Sequence, residues 1–476
     1  MTEPCQEKPR THKKDDSQEE RAVVVSDEPV FPDEPYPETE GEGVRSSLRA
    51  IFSNRNYTTF LCTAWAFSTF AFLGSYLNLY LKVLGWSIIL IGTVMSVANA
   101  FSSIMRLAGG YIGDVADRKK IAVAAFLVTS IYFFIMAFSI DFWLIFIALL
   151  IYSVNDLFRS GSTAYIMENV PEKQSGFALS LFTTGRVLGI IALLAFGFLQ
   201  PTLGFTAAFR FMYLVTGLCI MLSAVARAIF LEPAKRERMH SDRPILSEFL
   251  SENVKAAKML LAAIPGLVLV VVLDALSDSF FSFAAIIYTY EDLSIDISGI
   301  NLMLVTQLLI SVPLLLKMGR ITDRKGVKKA AIAVYSIMPV SAFFLYIAPV
   351  FPYVVPLGVV NALNGAIPGL GVVCATPFLG IVIKYVNDAL WGGLIIILIR
   401  KRLPKTDTAK ILSIFWVMVY ILASVGPYVA GLIYAYMTPP ILFLTIIVLN
   451  VILLVAIAVG PFGNDTAPPT EMIESN

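Results

Sequence analysis

The sequence predicts an all-α membrane protein of about twelve spanning helices, arranged as two pseudo-symmetric bundles of six. Three observations carry this prediction. The chain is 57% hydrophobic and only 15% charged, with a mean hydropathy of +0.75, far from the balance of a soluble domain. Apolar runs near the roughly twenty residues that a spanning helix needs recur from Tyr57 onward. A loop motif occurs twice, as Gly110-Tyr-Ile-Gly-Asp114-Val-Ala-Asp117-Arg118-Lys119-Lys120 and as Gly319-Arg-Ile-Thr-Asp323-Arg324-Lys325-Gly326-Val-Lys328-Lys329. The copies lie about two hundred residues apart, the separation of two whole halves.

The same composition excludes several classes. A net charge of +1 and two His suggest neither a nucleic-acid partner nor a His-rich metal site. Of four Cys, Cys62, Cys219 and Cys374 sit in apolar runs and Cys5 in a polar stretch. No paired spacing points to a disulfide or zinc site, so they read as small hydrophobes. No cofactor and no metal are expected. A phosphate-binding Gly-x-x-x-x-Gly-Lys-(Ser/Thr) loop is missing, which argues against direct use of ATP.

Taken in order, residues 1–55 form a tail rich in Glu, Asp and Pro, too poor in apolar groups to fold alone. No apolar core of a cleavable signal follows its first charges. The N-terminal bundle covers 56–231, with helices expected near 57–82, 88–111, 119–139, 142–165, 175–199 and 206–231. A charged linker covers 232–260. Within it Ile245, Leu246, Phe249 and Leu250 share one helical face opposite Glu248 and Glu252, as in an amphipathic surface helix that tethers the halves. The C-terminal bundle covers 261–461, with helices near 262–290, 297–318, 328–349, 375–399, 409–436 and 440–460, and a polar tail covers 462–476.

Charge sets the orientation. Lys and Arg gather on one side, at Arg118 to Lys120, Lys235 to Arg243, Arg320 to Lys329 and Arg400 to Lys405. The other side holds Lys82, Arg210, Asp141, Glu291, Asp292 and Asp296. The excess of positive charge is expected to face the cytoplasm, with both termini. From Ala330 to Ile383 there is no charge at all. The stretch between the basic loops at Lys329 and Arg400, about seventy residues, is too short for four crossings and too long for two. The surplus falls on the Pro- and Gly-rich segment 351–376, expected as an extracellular hairpin or re-entrant piece packed against protein, or as an overlong broken helix.

The repeat extends beyond the loops. Tyr152-Ser-Val154-Asn155-Asp156 in the fourth expected helix echoes Tyr385-Val386-Asn387-Asp388 in the tenth. Pro171 and Pro404 follow, and Leu179-Ser-Leu-Phe182 matches Leu412-Ser-Ile-Phe415. Parallel halves of this kind build transporters that rock about a central site.

Each charge near mid-bilayer costs about 2.5–3.5 kcal/mol on insertion scales. The chain nevertheless keeps Asp156 and Arg159 in the fourth helix, Arg186 in the fifth, Asp274 and Asp278 in the seventh, and Lys384 and Asp388 in the tenth, with Arg106 nearer the end of the second. Asp156 with Arg159, and Lys384 with Asp388, have spacings that meet on one face. Such pairs serve either as structural ties or as the lining of a hydrated cavity.

The doubled loop resembles that of the major facilitator superfamily (MFS) of secondary transporters. That family carries Gly-x-x-x-Asp-(Arg/Lys)-x-Gly-(Arg/Lys)-(Arg/Lys) after its second helix, with a weaker echo after its eighth. Asp323, Arg324 and Gly326 fit the pattern. The first copy has Val115 in place of a base and Asp117 in place of Gly. The resemblance covers nearly the whole chain and implies the MFS fold. It implies a cavity lined by helices one, four, seven and ten, on which most of the intramembrane charges fall. It also implies cytoplasmic gate loops built from Arg106, Gly110, Asp114, Arg118, Gly319, Asp323 and Arg324.

The resulting expectation is a monomeric, multi-pass, plasma-membrane transporter without covalent chemistry, moving a small solute across the lipid bilayer by alternating access. Arg159, Arg186 and Lys384 suggest an anionic or zwitterionic solute. Asp274 and Asp278 lie one turn apart, so one is expected to hold a proton and couple transport to protons, unless Lys384 or Arg186 reaches the pair and fixes it as a salt bridge. An efflux antiporter for drugs or metabolites is the nearest alternative. The fifth helix lacks the Gly-Pro-rich motif of the family's drug–proton antiporters, while Gly426-Pro427 appears in the eleventh. A non-transporting receptor or scaffold would not need these carboxylates. A membrane enzyme would need a nucleophile and base that the sequence does not offer.

Overall fold

In the computed structural model of the protein, the described residues are 52–115, 117–169, 185–232, 251, 253–255, 257–261, 264, 266–402 and 408–462. The side chains of 71, 110–115, 118, 158–169, 316–325, 396–397, 399–402 and 408–413 fall outside the description. The expected tails and most of the linker helix also lie outside the described residues.

The first crossing is α1 (Arg55–Ala71), a 3₁₀ stretch (Phe72–Tyr76) and α2 (Leu77–Val83). Asn54 starts it, its side chain accepting from the Tyr57 amide at 3.0 Å, one of the orphan donors of a helix start. Next come α3 (Ile88–Val115), α4 (Arg118–Phe138) and α5 (Phe142–Asn169). Asp117 caps α4 through the Lys119 amide at 2.9 Å, and Asp141 caps α5 through Trp143 and Leu144. A 3₁₀ turn (Gly185–Leu188) leads into α6 (Gly189–Leu203), and α7 (Phe205–Phe230) closes this half.

The second half runs α8 (Leu267–Glu291), α9 (Ile297–Lys325), α10 (Val327–Tyr335), α11 (Met338–Ile347), α12 (Leu357–Ala366), α13 (Thr376–Arg402), α14 (Thr408–Tyr436) and α15 (Pro439–Val459). α10 and α11 form one crossing, broken where Pro339 enters the first turn of α11. Between α9 and α10 the chain turns at Gly326, whose φ of 78° suits glycine.

Among the described residues, eleven helices are long and apolar enough to span a membrane, and α5 adds an apolar Phe142–Leu157. The outward side chains are large and apolar, Phe198 being 80% exposed and Leu222 68%, as a lipid-facing surface requires.

The halves meet along α3 and α14. A Cβ at Gly92 would collide with the Pro427 carbonyl, and one at Gly431 would stand 3.0 Å from the Ile88 oxygen, so these helices approach at backbone distance. At the acidic end, away from the basic loops, Tyr76 donates to Asn301 at 2.6 Å and Lys82 pairs with Glu291 at 3.8 Å.

The surplus segment is an appendage at that end. Thr376 and Val354 bond back to Pro352 and Cys374, and Tyr353 bridges Ala375. α12 buries only Val360 and leaves Leu357 and Val359 exposed. The expectation of a piece packed against protein is therefore corrected, because this ten-residue helix packs mainly on the 3₁₀ turn Leu370–Cys374 of its own segment, Val360 and Asn364 lying against Gly371.

Candidate solute-binding site

The charges of the second half come together where α8 faces α13. Lys384 Nζ donates to Asp278 Oδ1 at 2.6 Å and to Asp388 Oδ1 at 2.5 Å, and lies 5.1 Å from the centre of the Phe281 ring. Its side chain is 1% exposed, whereas that of Asp278 is 51% exposed. The ammonium thus sits behind the carboxylates that neutralise it. Desolvating an ammonium is offset only by short contacts of this kind. Asp274, one turn before Asp278, accepts from Tyr335 Oη at 3.0 Å and from Trp391 Nε1 at 2.9 Å.

These groups face a cavity of about 310 Å³. Asp274, Asp278 and Asp388 line it, together with Phe283, Trp391, Phe415 and Trp416 of the same half and Asn78, Met95 and Asn99 of the other. Among the described lining residues there is no Lys or Arg. Toward the acidic end, Asn78 Nδ2 closes the cavity by donating to the Phe283 carbonyl at 3.2 Å. Toward the basic end the lining continues to Ile395 and Phe415.

Gly426-Pro427 belongs to this wall. Proline has no amide hydrogen to give the carbonyl four residues back. That carbonyl, on Ala423, instead accepts from Ser279 Oγ at 3.1 Å. The next amide, on Tyr428, donates to Ser96 Oγ of the other half at 2.9 Å. The break in α14 therefore joins three helices across the molecule.

The first half holds a different arrangement. Arg106 Nη2 donates to Asp156 Oδ1 at 2.5 Å, and Ser102 Oγ donates to Asp156 Oδ2 at 2.8 Å. The Arg106 guanidinium stacks 3.9 Å from the Tyr420 ring centre on α14, a cation–π contact across the two halves.

The expected residues are thus only partly brought together. Lys384 reaches Asp278, so the fixed salt bridge forms there and Asp274 is held separately by neutral donors. Of the three cations behind the expectation of an anionic solute, Lys384 is turned into its own carboxylates, and Arg186 is exposed on a 3₁₀ turn rather than a regular helix. The Arg159 side chain lies outside the described residues, as do those of Gly110, Asp114, Arg118, Gly319, Asp323 and Arg324. Asp156 is met by Arg106, fifty residues away in sequence and on another helix.

Three functional candidates escaped the sequence. Tyr335 and Asn450 sit buried beside Asp274. Arg227, 2% exposed, donates to Thr63 and to the Ala122 carbonyl and lies between the rings of Phe60 and Phe126. A lone Asn in the most apolar span, and Arg227 within the apolar C-terminal part of α7, were the available signals.

The fold and site define a multi-pass helical membrane protein with two repeated halves and a charged cavity between them. The model of the Major Facilitator Superfamily matches residues 7–189 and 59–266, and the chain belongs to that superfamily. It is similar to "Multidrug resistance protein MdtG" of Enterobacter lignolyticus (strain SCF1), 26% identical over 284 residues, which are 56% of this chain and 64% of the relative. The MdtG of Klebsiella pneumoniae (strain 342) is 25% identical over 63% of this chain and 73% of its own length. The match thus spans less than two thirds of the first of these relatives. A crystallised POT family transporter in complex with 5-aminolevulinic acid superposes with a TM-score of 0.62 at 14% identity, covering 85% of this chain and 96% of that one. The nucleoside transporter NupG gives 0.57 at 14%, covering 84% and 99%. At such identity these structures speak for the fold alone.

Proposed function

We propose that this transporter exchanges a small organic cation with an apolar body for protons, by alternating access. One observation carries the reading. Three carboxylates line an aromatic-walled cavity, against one ammonium buried behind them. With Asp274 protonated the set carries one net negative charge; with Asp274 ionised it carries two. A proton on Asp274 and an organic cation in the cavity therefore weaken each other's binding to the same negative set, in a setting where charges act more strongly than in water. Whichever occupies the cavity when the halves rock is carried, which is antiport.

Aromatic faces beside carboxylates suit an amphiphilic cation. The name of the MdtG relatives supports export of such compounds over uptake. The protein works as a monomer in the plasma membrane with both termini in the cytoplasm, in keeping with its basic loops. Asp114 and Asp323, at matching helix ends, belong with Arg106 to the gates.

The test is a liposome assay with an imposed pH gradient and tetraphenylphosphonium as solute. Gradient-driven movement is expected in wild type and is lost in Asp388→Asn. Transport indifferent to the gradient, or a binding panel whose best ligands are anions, contradicts the proposal.

A further inference from the structure

Asp274 differs from its neighbours in how its carboxyl is held. Asp278 and Asp388 meet an ammonium, whereas Asp274 meets the hydroxyl of Tyr335 on α10 and the indole of Trp391 on α13. Tyr335 Oη also lies 2.9 Å from Asn450 Oδ1 on α15. That oxygen accepts a second bond from Ser277 Oγ at 2.7 Å, and Asn450 Nδ2 is buried without a partner among the described residues.

A hydroxyl has one hydrogen, and Tyr335 faces two acceptors. With the Asn450 carbonyl turned toward Tyr335, the tyrosine hydrogen goes to Asn450. The Asp274–Tyr335 contact then needs its hydrogen from Asp274, which is protonated. If Asp274 ionises, Tyr335 must donate to it. Asn450 then turns its amide round, Nδ2 donating to the oxygens of Tyr335 and Ser277. Either orientation of Asn450 leaves one of its buried polar atoms unpartnered, so the amide alone does not decide between them. The occupancy of Asp274 does.

We infer that Asn450 and Tyr335 are positioning residues that set the hold of Asp274 on the transported proton in opposite senses, the Asn450 carboxamide reversing when that proton leaves. Asn450 favours the proton by taking the tyrosine hydrogen, and Tyr335 favours its release by donating to the carboxylate. This rests on the proposed exchange of proton and cation in the cavity. The proton enters from cavity water, since Asp274 lines the cavity. The other groups acting on Asp274 are Asp278 on its own helix and Lys384 and Asp388 on α13. α15 contributes Asn450 as a neutral partner, so the amide sorts hydrogens without adding charge.

The test uses infrared difference spectra of the full chain in bilayers at stepped pH. The protonated carboxyl band of Asp274 is the one absent from Asp274→Asn. Removing Asn450 frees the tyrosine hydrogen for the carboxylate, and removing the tyrosine hydroxyl takes that donor away. At the pH where wild type shows half its band, Asn450→Leu lowers the ratio of protonated to ionised Asp274 about tenfold, and Tyr335→Phe raises it about tenfold, the size expected of one hydrogen bond to a charged group. A merely structural role does not produce opposite signs. Thermal unfolding within a few degrees of wild type establishes folding, and Asn450→Ala is read instead if Asn450→Leu fails that check. Shifts of the same sign, or none, overturn the inference. Gradient-driven transport retained in Asp274→Asn overturns the proton exchange itself.

Discussion

The two halves hold the echoed carboxylates Asp156 and Asp388, and they use them differently. Asp156 has an Arg and a Ser at hydrogen-bond distance, and the Arg is covered by Tyr420 of the opposite half. Asp388 shares a single Lys with Asp278, and Asp274 stands beside them with neutral donors. In the first half, charge and countercharge meet at a contact between the halves. In the second, acid exceeds base and faces a cavity. A balanced pair makes a joint, and an unbalanced set makes a site for something positive.

The largest expected effect comes from removing the base of the unbalanced set. Lys384→Met leaves Asp278 and Asp388 uncompensated. Breaking a fully buried pair costs about 3–5 kcal/mol; because Asp278 is half exposed, about 2–3 kcal/mol is expected here, read as a drop of several degrees in apparent unfolding temperature in detergent. Asp388→Asn in the same background restores part of that loss. If it restores nothing, the cluster is not organised around charge.

The joint gives a smaller effect of another kind. Arg106→Ala is expected to abolish transport while cation binding stays within about threefold of wild type. The ion pair lies away from the cavity lining, and a threefold change is well under the 1.4 kcal/mol of a tenfold one. Equal loss of binding and transport would erase the distinction between joint and site. Tyr420→Leu removes the cation–π contact, about 0.5–2 kcal/mol, together with a ring contact to Trp416, and is expected to slow exchange several-fold. The smallest effect is that of Ser279→Ala, which leaves the Ala423 carbonyl without its donor and costs about 1 kcal/mol in apparent stability.

The comparison also shows what the sequence could carry. Helix positions were legible because length and apolarity are local properties. Asp117 was legible as a departure from the family loop, but not as the cap of α4 that replaces a turn glycine. In the other copy, Gly326 makes that turn with a positive φ. Partnerships between helices could be raised from the sequence but not chosen. Spacing pairs Lys384 with Asp388 and leaves its reach to the Asp274–Asp278 pair as one alternative, and the contact with Asp278 across 106 residues decides it. Counting three cations suggested an anionic solute, but spacing could not show that Lys384 turns inward onto Asp278 and Asp388. Asn450 and Tyr335 carry no charge, and their role appears only once α10 and α15 stand beside α8.

The central claim is that cation and proton weaken each other's binding to one negatively charged set. The direct measurement is proton release into weakly buffered solution as tetraphenylphosphonium binds the purified protein, followed with a pH indicator. The account predicts about half a proton released per cation bound at the midpoint of Asp274 occupancy, where half of the molecules carry it, rising toward one at lower pH, and none in Asp274→Asn, which still binds. Cation binding in wild type with no proton released, or release that survives in Asp274→Asn, would contradict it.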